Sequence, residues 1–395
     1  MPRYWSWNSI QVKPDDLIGF AWSEPMRDLA AKVGLSDVGL RKLFHSHGIV
    51  TPPQGYWNKV RAGKKVPDTP KAPPRGPGDT GRCQVDKRLA PFIPEAPSMS
   101  SMGPFVSPLV PENLDELRAS ELQAIGKVRV PRSLDRVHSG LRTFLANEAK
   151  RRAMSEGNQW RWDGPKFDNP QDQRRLRILN GLLLALARRG HGGSVREDRE
   201  DIEAYAIIGQ TRVDFTLQIA GKHRAGARGA YRQPDPKLPV GTPLMLQIRT
   251  GSSNGQGESW QDDEADRLEN KLAVIAASLI VAGEARFRTG LREAEERRER
   301  ERQEHEERRR RRLEELNQQR LASLHKSGEL LRQARDIRAL VAAVDTAIEA
   351  GANMEGEAIE AWRQWALSEA DKLDPVLSGQ VFDHLHEPRL EQTDV

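Results

Sequence analysis

Between Glu284 and Arg320 the chain is almost entirely glutamate and arginine, a composition with no face to bury and no strand to add to a sheet. What it can form is a solvated helix. Glu293 with Arg297, Glu296 with Arg300, Glu304 with Arg308 and Glu307 with Arg311 sit one helical turn apart, where opposite charges support each other. Few positions between Leu291 and Leu313 are apolar, so a heptad seam is missing and the stretch reads as a single helix, a rigid spacer of roughly 50 Å. Such a segment divides the 395 residues into modules. A charged fraction of 30% with only 6% aromatic residues agrees with two or three modules rather than one large core.

The lone cysteine, Cys83, allows no intramolecular disulfide and argues against a structural zinc site, so neither a metal nor another cofactor is expected. The opening MPRYWSWNSI has no apolar signal region, and no run reaches the ~18 apolar residues that a membrane span needs. The expected setting is a reducing cytoplasm, without membrane contact.

Residues 26–45, MRDLAAKVGLSDVGLRKLFH, carry the most functional information. Leu29, Val33, Leu35, Leu40 and Leu43 fall where two short helices crossing through a tight turn need apolar contacts. Ala30 is small at the expected crossing, Gly34 suits a left-handed cap, and Ser36 suits the start of the second helix. The exposed face left on that helix is Ser36, Asp37, Val38, Arg41, Lys42 and His45, with Arg41 the best candidate to read a base edge. Gly39 is the awkward residue, because glycine inside a helix costs on the order of 1 kcal/mol relative to alanine.

From Pro14 to about Gly63 this pattern resembles the helix-turn-helix family of DNA-binding proteins, in the repressor, recombinase and transposase style. The resemblance implies base or phosphate contact for the exposed residues from Ser36 to His45, and packing roles for Ala30, Gly34, Leu40 and Leu43. The flanks agree: Pro14 with Asp15 and Asp16 opens one helix, and Ser23 with Pro25 opens the next. Downstream, Tyr56 and Trp57 interleave with Lys59, Arg61, Lys64 and Lys65 in an arm that Pro52 and Pro53 stiffen. The basic residues suit phosphate contact, and the two aromatics either join that contact or pack back on the helices. Residues 1–65 hold ten Lys or Arg against five Asp or Glu, a surplus equal to the +5 of the whole chain. A polyanion is therefore drawn to this end. A helical hairpin that binds protein remains the alternative.

Residues 66–111 contain eleven prolines among many glycines and serines and read as a tether. Residues 112–283 read as an α+β domain. Helices are expected over NLDELRASELQAI, SLDRVHSGLRTFLANEAKRRA and DQRRLRILNGLLLALARRG, the last with Leu176, Leu179, Leu183 and Leu186 on one face. Three half-buried antiparallel strands are expected near 203–208, 213–219 and 244–249, followed by a helix from about Asp262 to Val281.

Asp214 with Gln247 and Arg249 faintly resembles the metal-binding set of restriction endonucleases, which would imply a magnesium-dependent nuclease. Glutamine is a weak ligand for a hard cation and arginine cannot give up its proton, so the set departs from that pattern where the chemistry is done. The glycine-rich stretch at 251–257 lacks a Walker ending and precedes Asp262, Asp263 and Glu264, which would repel phosphate. Lys222, His223, Arg224, Arg228, Tyr231 and Arg232 form a basic loop, either a second nucleic-acid contact or a solvated connection. No nucleophile with a paired base is evident, so no active site and no enzymatic role are expected.

Residues 284–327 form the charged helix and 328–395 a helical hairpin. Its stripes are Leu330, Leu331, Ala334, Ile337, Leu340, Val341, Val344 and Ile348 on one helix, and Ile359, Trp362, Ala366 and Leu373 on the other. Two helices bury such stripes poorly alone, so a partner is implied: the α+β domain, a second copy, or another protein, with Trp362 and Trp365 as anchors. The sequence therefore reads as a mainly α multidomain protein with a central α+β domain: a helix-turn-helix head that prefers certain duplex DNA sequences, as a regulator or as an accessory subunit of a DNA-processing, mobile-element or defence system. A protein-interaction scaffold is the further alternative.

Overall fold

The computed structural model describes residues 9–156, 167–198, 201–220, 241–249, 257–351 and 356–387. It divides into two compact units, Met1–Glu293 and Ala294–Val395. Mainly α structure with an α+β part is what the chain adopts. The basic loop at 221–240 and residues 251–256 lie outside the described residues.

The first unit begins with strand β1 (Ser9–Val12) and three short helices, α1 (Pro14–Ala21), α2 (Met26–Val33) and α3 (Asp37–Ser46), followed by one more helix turn and a half, α4 (Tyr56–Arg61). Leu17, Ile18, Ala21, Leu29, Ala30, Val33, Leu40 and Phe44 form their shared core. Strand β2 (Cys83–Asp86) pairs antiparallel with β1, Ser9 opposite Asp86 and Val12 opposite Cys83.

That pairing corrects the expectation of a free tether over 66–111. Cys83, Val85, Leu89 and Ile93 are buried in the same core as α1–α3, and Phe92 stacks on Phe20 at 5.8 Å. The physical reason is spacing: the prolines exclude helix, yet the apolar residues between them recur often enough to lay an extended chain on a core. The amide of Ala72 donates to the Asp15 carboxylate at 3.1 Å and that of Ala96 to the Gln11 carbonyl at 2.7 Å, so the segment is fastened along its length.

The α+β part holds α5 (Leu114–Ile125), α6 (Ser139–Glu156), α7 (Pro170–Arg188) and a five-stranded antiparallel meander. Its strands are β3 (Gly192–Asp198), β4 (Asp201–Ile208), β5 (Thr211–Ile219), β6 (Leu244–Ile248) and β7 (Ser259–Gln261). The three expected strands form, and the alternation of Val213, Phe215 and Leu217 with Asp214, Thr216 and Gln218 places the first set against the helices. β3 and β7 were not legible. β3 opens with two glycines, and its position depends on a backbone approach: a Cβ on Gly140 of α6 would lie 1.9 Å from the Gly193 carbonyl oxygen. Only glycine permits that distance. α7 is buried beyond its expected leucine face, with Ile178, Leu182 and Ala185 covered as well, as befits a helix at the centre of a layer. α6 begins at Ser139, so Ser133–His138 are not helical.

The expected break between the domain helix and the charged helix does not occur. A single helix, α8, runs from Leu268 to Glu349, because nothing in the Glu/Arg stretch interrupts a hydrogen-bond ladder already nucleated in a core. Of the expected ion pairs, Glu307–Arg311 forms at 3.5 Å, whereas Nε of Arg300 and of Arg308 donates to the backbone carbonyls of Glu296 and Glu304. All these side chains are solvent-exposed, where a pair contributes little.

Where α8 passes through the first unit, the fully buried Glu284 accepts from Arg75 at 2.8 and 3.1 Å, from the Gly78 amide at 2.8 Å and from Nε of Arg288 at 2.8 Å. Burial opposes the charge on Glu284, but these donors outweigh it and hold the carboxyl below the usual carboxylate range. Arg75 also donates to the Phe105 and Asp79 carbonyls, and Arg288 to those of Pro111 and Glu112. Residues 75–112 are thus clasped to the body.

In the second unit the last third of α8 packs antiparallel on α9 (Gly356–Leu373). Arg338 pairs with Asp371 at 2.8 Å and Asp374 at 2.9 Å, and Arg363 with Asp345 at 2.5 Å. Ala334, Val341, Ala366 and Ala370 are buried in the seam. Leu340, expected there, is 56% exposed, as is Trp365 at 61%, while Trp362 is half-buried.

Candidate nucleic-acid interface

The face of α3 follows from what its other side must cover. Leu40 and Phe44, one turn apart, are both fully buried, which turns positions 37, 38, 41, 42 and 45 outward. Phe44 is not among the contacts expected from the sequence; Leu35 and Leu43, which are, pack half-buried against the same core. The signal was present, since Leu40 and Phe44 have the same i, i+4 spacing as any helix stripe and phenylalanine is the larger payload.

Gly34 ends α2 at φ 71°, ψ 35°, the left-handed conformation the turn requires. The Leu35 amide donates to the Ala30 carbonyl at 2.9 Å, closing the end of α2. Ser36 then accepts from the Gly39 amide at 3.1 Å and caps α3, an interaction worth about 1 kcal/mol. Gly39 thus sits in the capped first turn, and a Cβ there would meet only the Ser36 hydroxyl, at 3.1 Å. No other part of the described chain crowds it.

A further brace comes from the segment first read as tether. Arg88 holds Asp86 through Nε and Nη2 at 3.1 and 2.8 Å and donates from Nη1 to the Gly34 carbonyl at 3.3 Å. The hydrogen bond from Arg88 keeps the Asp86 carboxyl below its ordinary range. The turn between α2 and α3 is therefore buttressed from β2.

Ser36, Asp37, Val38, Arg41, Lys42 and His45 are all exposed, Val38 at 64%. On and after α4, Lys59, Arg61, Lys64 and Lys65 are exposed too. None of these six Lys and Arg side chains has an ion-pair partner among the described residues. Lys32, by contrast, pairs with Glu24 at 2.5 Å. The residues after Pro53 form a short helix rather than an extended arm. Tyr56 packs edge-on against Trp22 at 5.1 Å and against Trp57 at 5.2 Å, and Trp22 donates to the Val50 carbonyl at 2.7 Å. The aromatics pack back on the helices, as one of the two sequence readings had it.

On the sheet, the amide of Arg249, just after β6, donates to the carbonyl of Asp214 on β5 at 2.8 Å, while Gln247 faces Thr216. The Asp214 carboxylate is engaged by Arg212 at 2.5 Å, and Arg249 lies 3.7 Å from Glu203. Among the described residues no group of three His, Cys, Asp or Glu is arranged to hold a metal ion, and no helix is long and apolar enough to cross a membrane. No family model matches the chain, and no curated protein or solved structure shows significant similarity to it.

Proposed function

We propose that this protein binds duplex DNA through α3, acting by recognition rather than catalysis, as the helix-turn-helix pattern of residues 26–45 implies. The observation that carries the reading is the outward face of Arg41, Lys42 and His45 on a helix whose opposite side is locked by Leu40 and Phe44. A helix so braced presents a pre-organised row of donors to a major groove, and Arg41 suits bidentate contact with guanine. Lys59, Arg61, Lys64 and Lys65 serve the flanking phosphates, to which they bring charge without sequence information. One head reads few bases, so a second copy or another protein bound through the C-terminal hairpin completes the specificity. The exposed Trp365 supports that role.

Fluorescence anisotropy of labelled duplexes across a salt series tests the reading. Five phosphate contacts, from Lys42, Lys59, Arg61, Lys64 and Lys65, contribute about −4.5 to the slope of log affinity against log salt. An Arg41→Ala, Lys42→Ala, His45→Ala variant is expected to bind at least about tenfold more weakly, with a shallower slope. Unchanged binding by that variant would remove α3 from the interface.

A further inference from the structure

Besides the head, the first unit carries a second array of cations with no ion-pair partner among the described residues, in the chain between α5 and α6. Residues 126–131 form neither helix nor strand, and the chain then bends through 132–136. Val128 is buried, and Val130, Leu134 and Val137 pack against the core of the α+β part. Lys127 and Arg129, on either side of Val128, are exposed, as are Arg132 and Arg136 beyond them. The ribbon is pinned to α7: Arg177 donates to the Arg132 carbonyl at 3.2 Å and Asn180 to the Arg136 carbonyl at 2.8 Å.

Several other arginines in this part are neutralised by acids. Arg174 binds Asp262 and Glu269 at 2.8 and 2.7 Å, Arg189 binds Glu121 at 2.8 Å, Arg151 binds Glu197 at 2.8 Å, and Arg118 binds Glu258. Lys127, Arg129, Arg132 and Arg136 have no ion-pair partner among the described residues. The one acid in the ribbon, Asp135, accepts from the Ser133 hydroxyl. Beside the bend lies a shallow cavity of about 260 Å³, lined by Arg132, Ser133, Leu134, Pro170, Gln173 and Arg177. It opens where the 19-residue α7 begins, at the positive end of its dipole. Four cations with no ion-pair partner among the described residues, on a fixed track beside a small cavity, match a row of phosphates better than a single anion.

We propose that the ribbon Lys127–Arg136 is a second nucleic-acid contact, one that tracks a phosphodiester backbone without reading bases. It goes beyond the reading of the head, because it needs no contribution from α3. A nucleic acid fits better than an anionic lipid surface, since the ribbon's apolar side chains point into the core and leave nothing to insert between headgroups. The chemistry requires charge and not guanidinium geometry, so lysine replaces arginine without loss.

The test compares the full-length protein with a Lys127→Gln, Arg129→Gln, Arg132→Gln, Arg136→Gln variant and an Arg129→Lys, Arg132→Lys, Arg136→Lys variant. Circular dichroism and thermal midpoint establish that each is folded. Anisotropy with a duplex of random sequence is read from about 50 to 200 mM salt. The glutamine variant is expected to lose about 2 to 4 from the salt slope, at roughly 0.9 per phosphate released, while the lysine variant keeps the wild-type slope. A glutamine variant with wild-type affinity and slope overturns the proposal, whatever the α3 variant does. An α3 variant that binds normally beside a weakened glutamine variant removes the head's role and leaves the ribbon's intact. Loss of binding to phosphatidylserine vesicles with no change on DNA overturns the proposal in favour of a membrane surface.

Discussion

Replacing Glu284 tests whether the segment that follows the head is clasped or free. The carboxylate is fully buried and faces Arg75 and Arg288, whose side chains are only 9% and 11% exposed. Glu284→Ala leaves the Arg75 guanidinium without its counter-charge, leaves Arg288 only Glu112 at 3.9 Å, and orphans the Gly78 amide. Breaking a buried pair from one side costs about 3 to 5 kcal/mol, and the individual hydrogen bonds are not added to that figure because they are the same interaction. With a urea dependence near 3 kcal/mol/M, the unfolding midpoint of the first unit falls by roughly 1 to 1.7 M. An Arg75→Met, Glu284→Leu, Arg288→Met variant is expected to recover much of the loss, since replacing a whole buried ion cluster by apolar side chains is often near neutral. The effect also depends on pH. The folded carboxyl titrates below its unfolded value of about 4.3, so its contribution is complete above that pH and disappears as pH falls through the lower folded value. Wild type and Glu284→Ala should therefore converge in strongly acid solution. A Glu284→Ala midpoint within about 0.3 M of wild type at pH 7, or a triple variant worse than the single one, would refute the reasoning.

Three further outcomes follow from the packing. Phe44→Ala empties the core of the head and is expected to cost about 3 to 5 kcal/mol in thermal or chemical unfolding, whereas Arg41→Ala stays within about 0.5 kcal/mol of wild type while weakening DNA binding; equal stabilities would contradict the burial of Phe44. Gly140→Ala puts a Cβ 1.9 Å from the Gly193 carbonyl, so α6 and β3 must separate, and a thermal midpoint equal to wild type would show that they never met so closely. Trp365→Ser, at a side chain 61% exposed, should leave stability unchanged within about 0.5 kcal/mol but reduce any self-association seen by sedimentation; if association persists, Trp365 is not the anchor.

Local rules determined much of this protein from sequence alone. The turn at Gly34, the cap at Ser36, the exposed positions of α3, the leucine face of α7 and the alternation along β5 each depend on residues within a turn or two of one another. Periodicity and backbone preference record such features directly. The tertiary structure decided what depends on partners far along the chain. Proline content suggested a tether over 66–111, but Val85 finds Ile10, Arg88 finds Gly34 and Arg75 finds Glu284 across up to 209 positions, and those contacts fix the segment. β3 depends on Gly193 meeting Gly140, a distance with no sequence period. The ribbon at Lys127–Arg136 was invisible for the same reason: an arginine looks alike in sequence whether or not an acid waits beside it. Only the fold separates Arg174 and Arg189, which are paired, from Arg129 and Arg132, which have no ion-pair partner among the described residues, because charge neutralisation is settled by proximity in space.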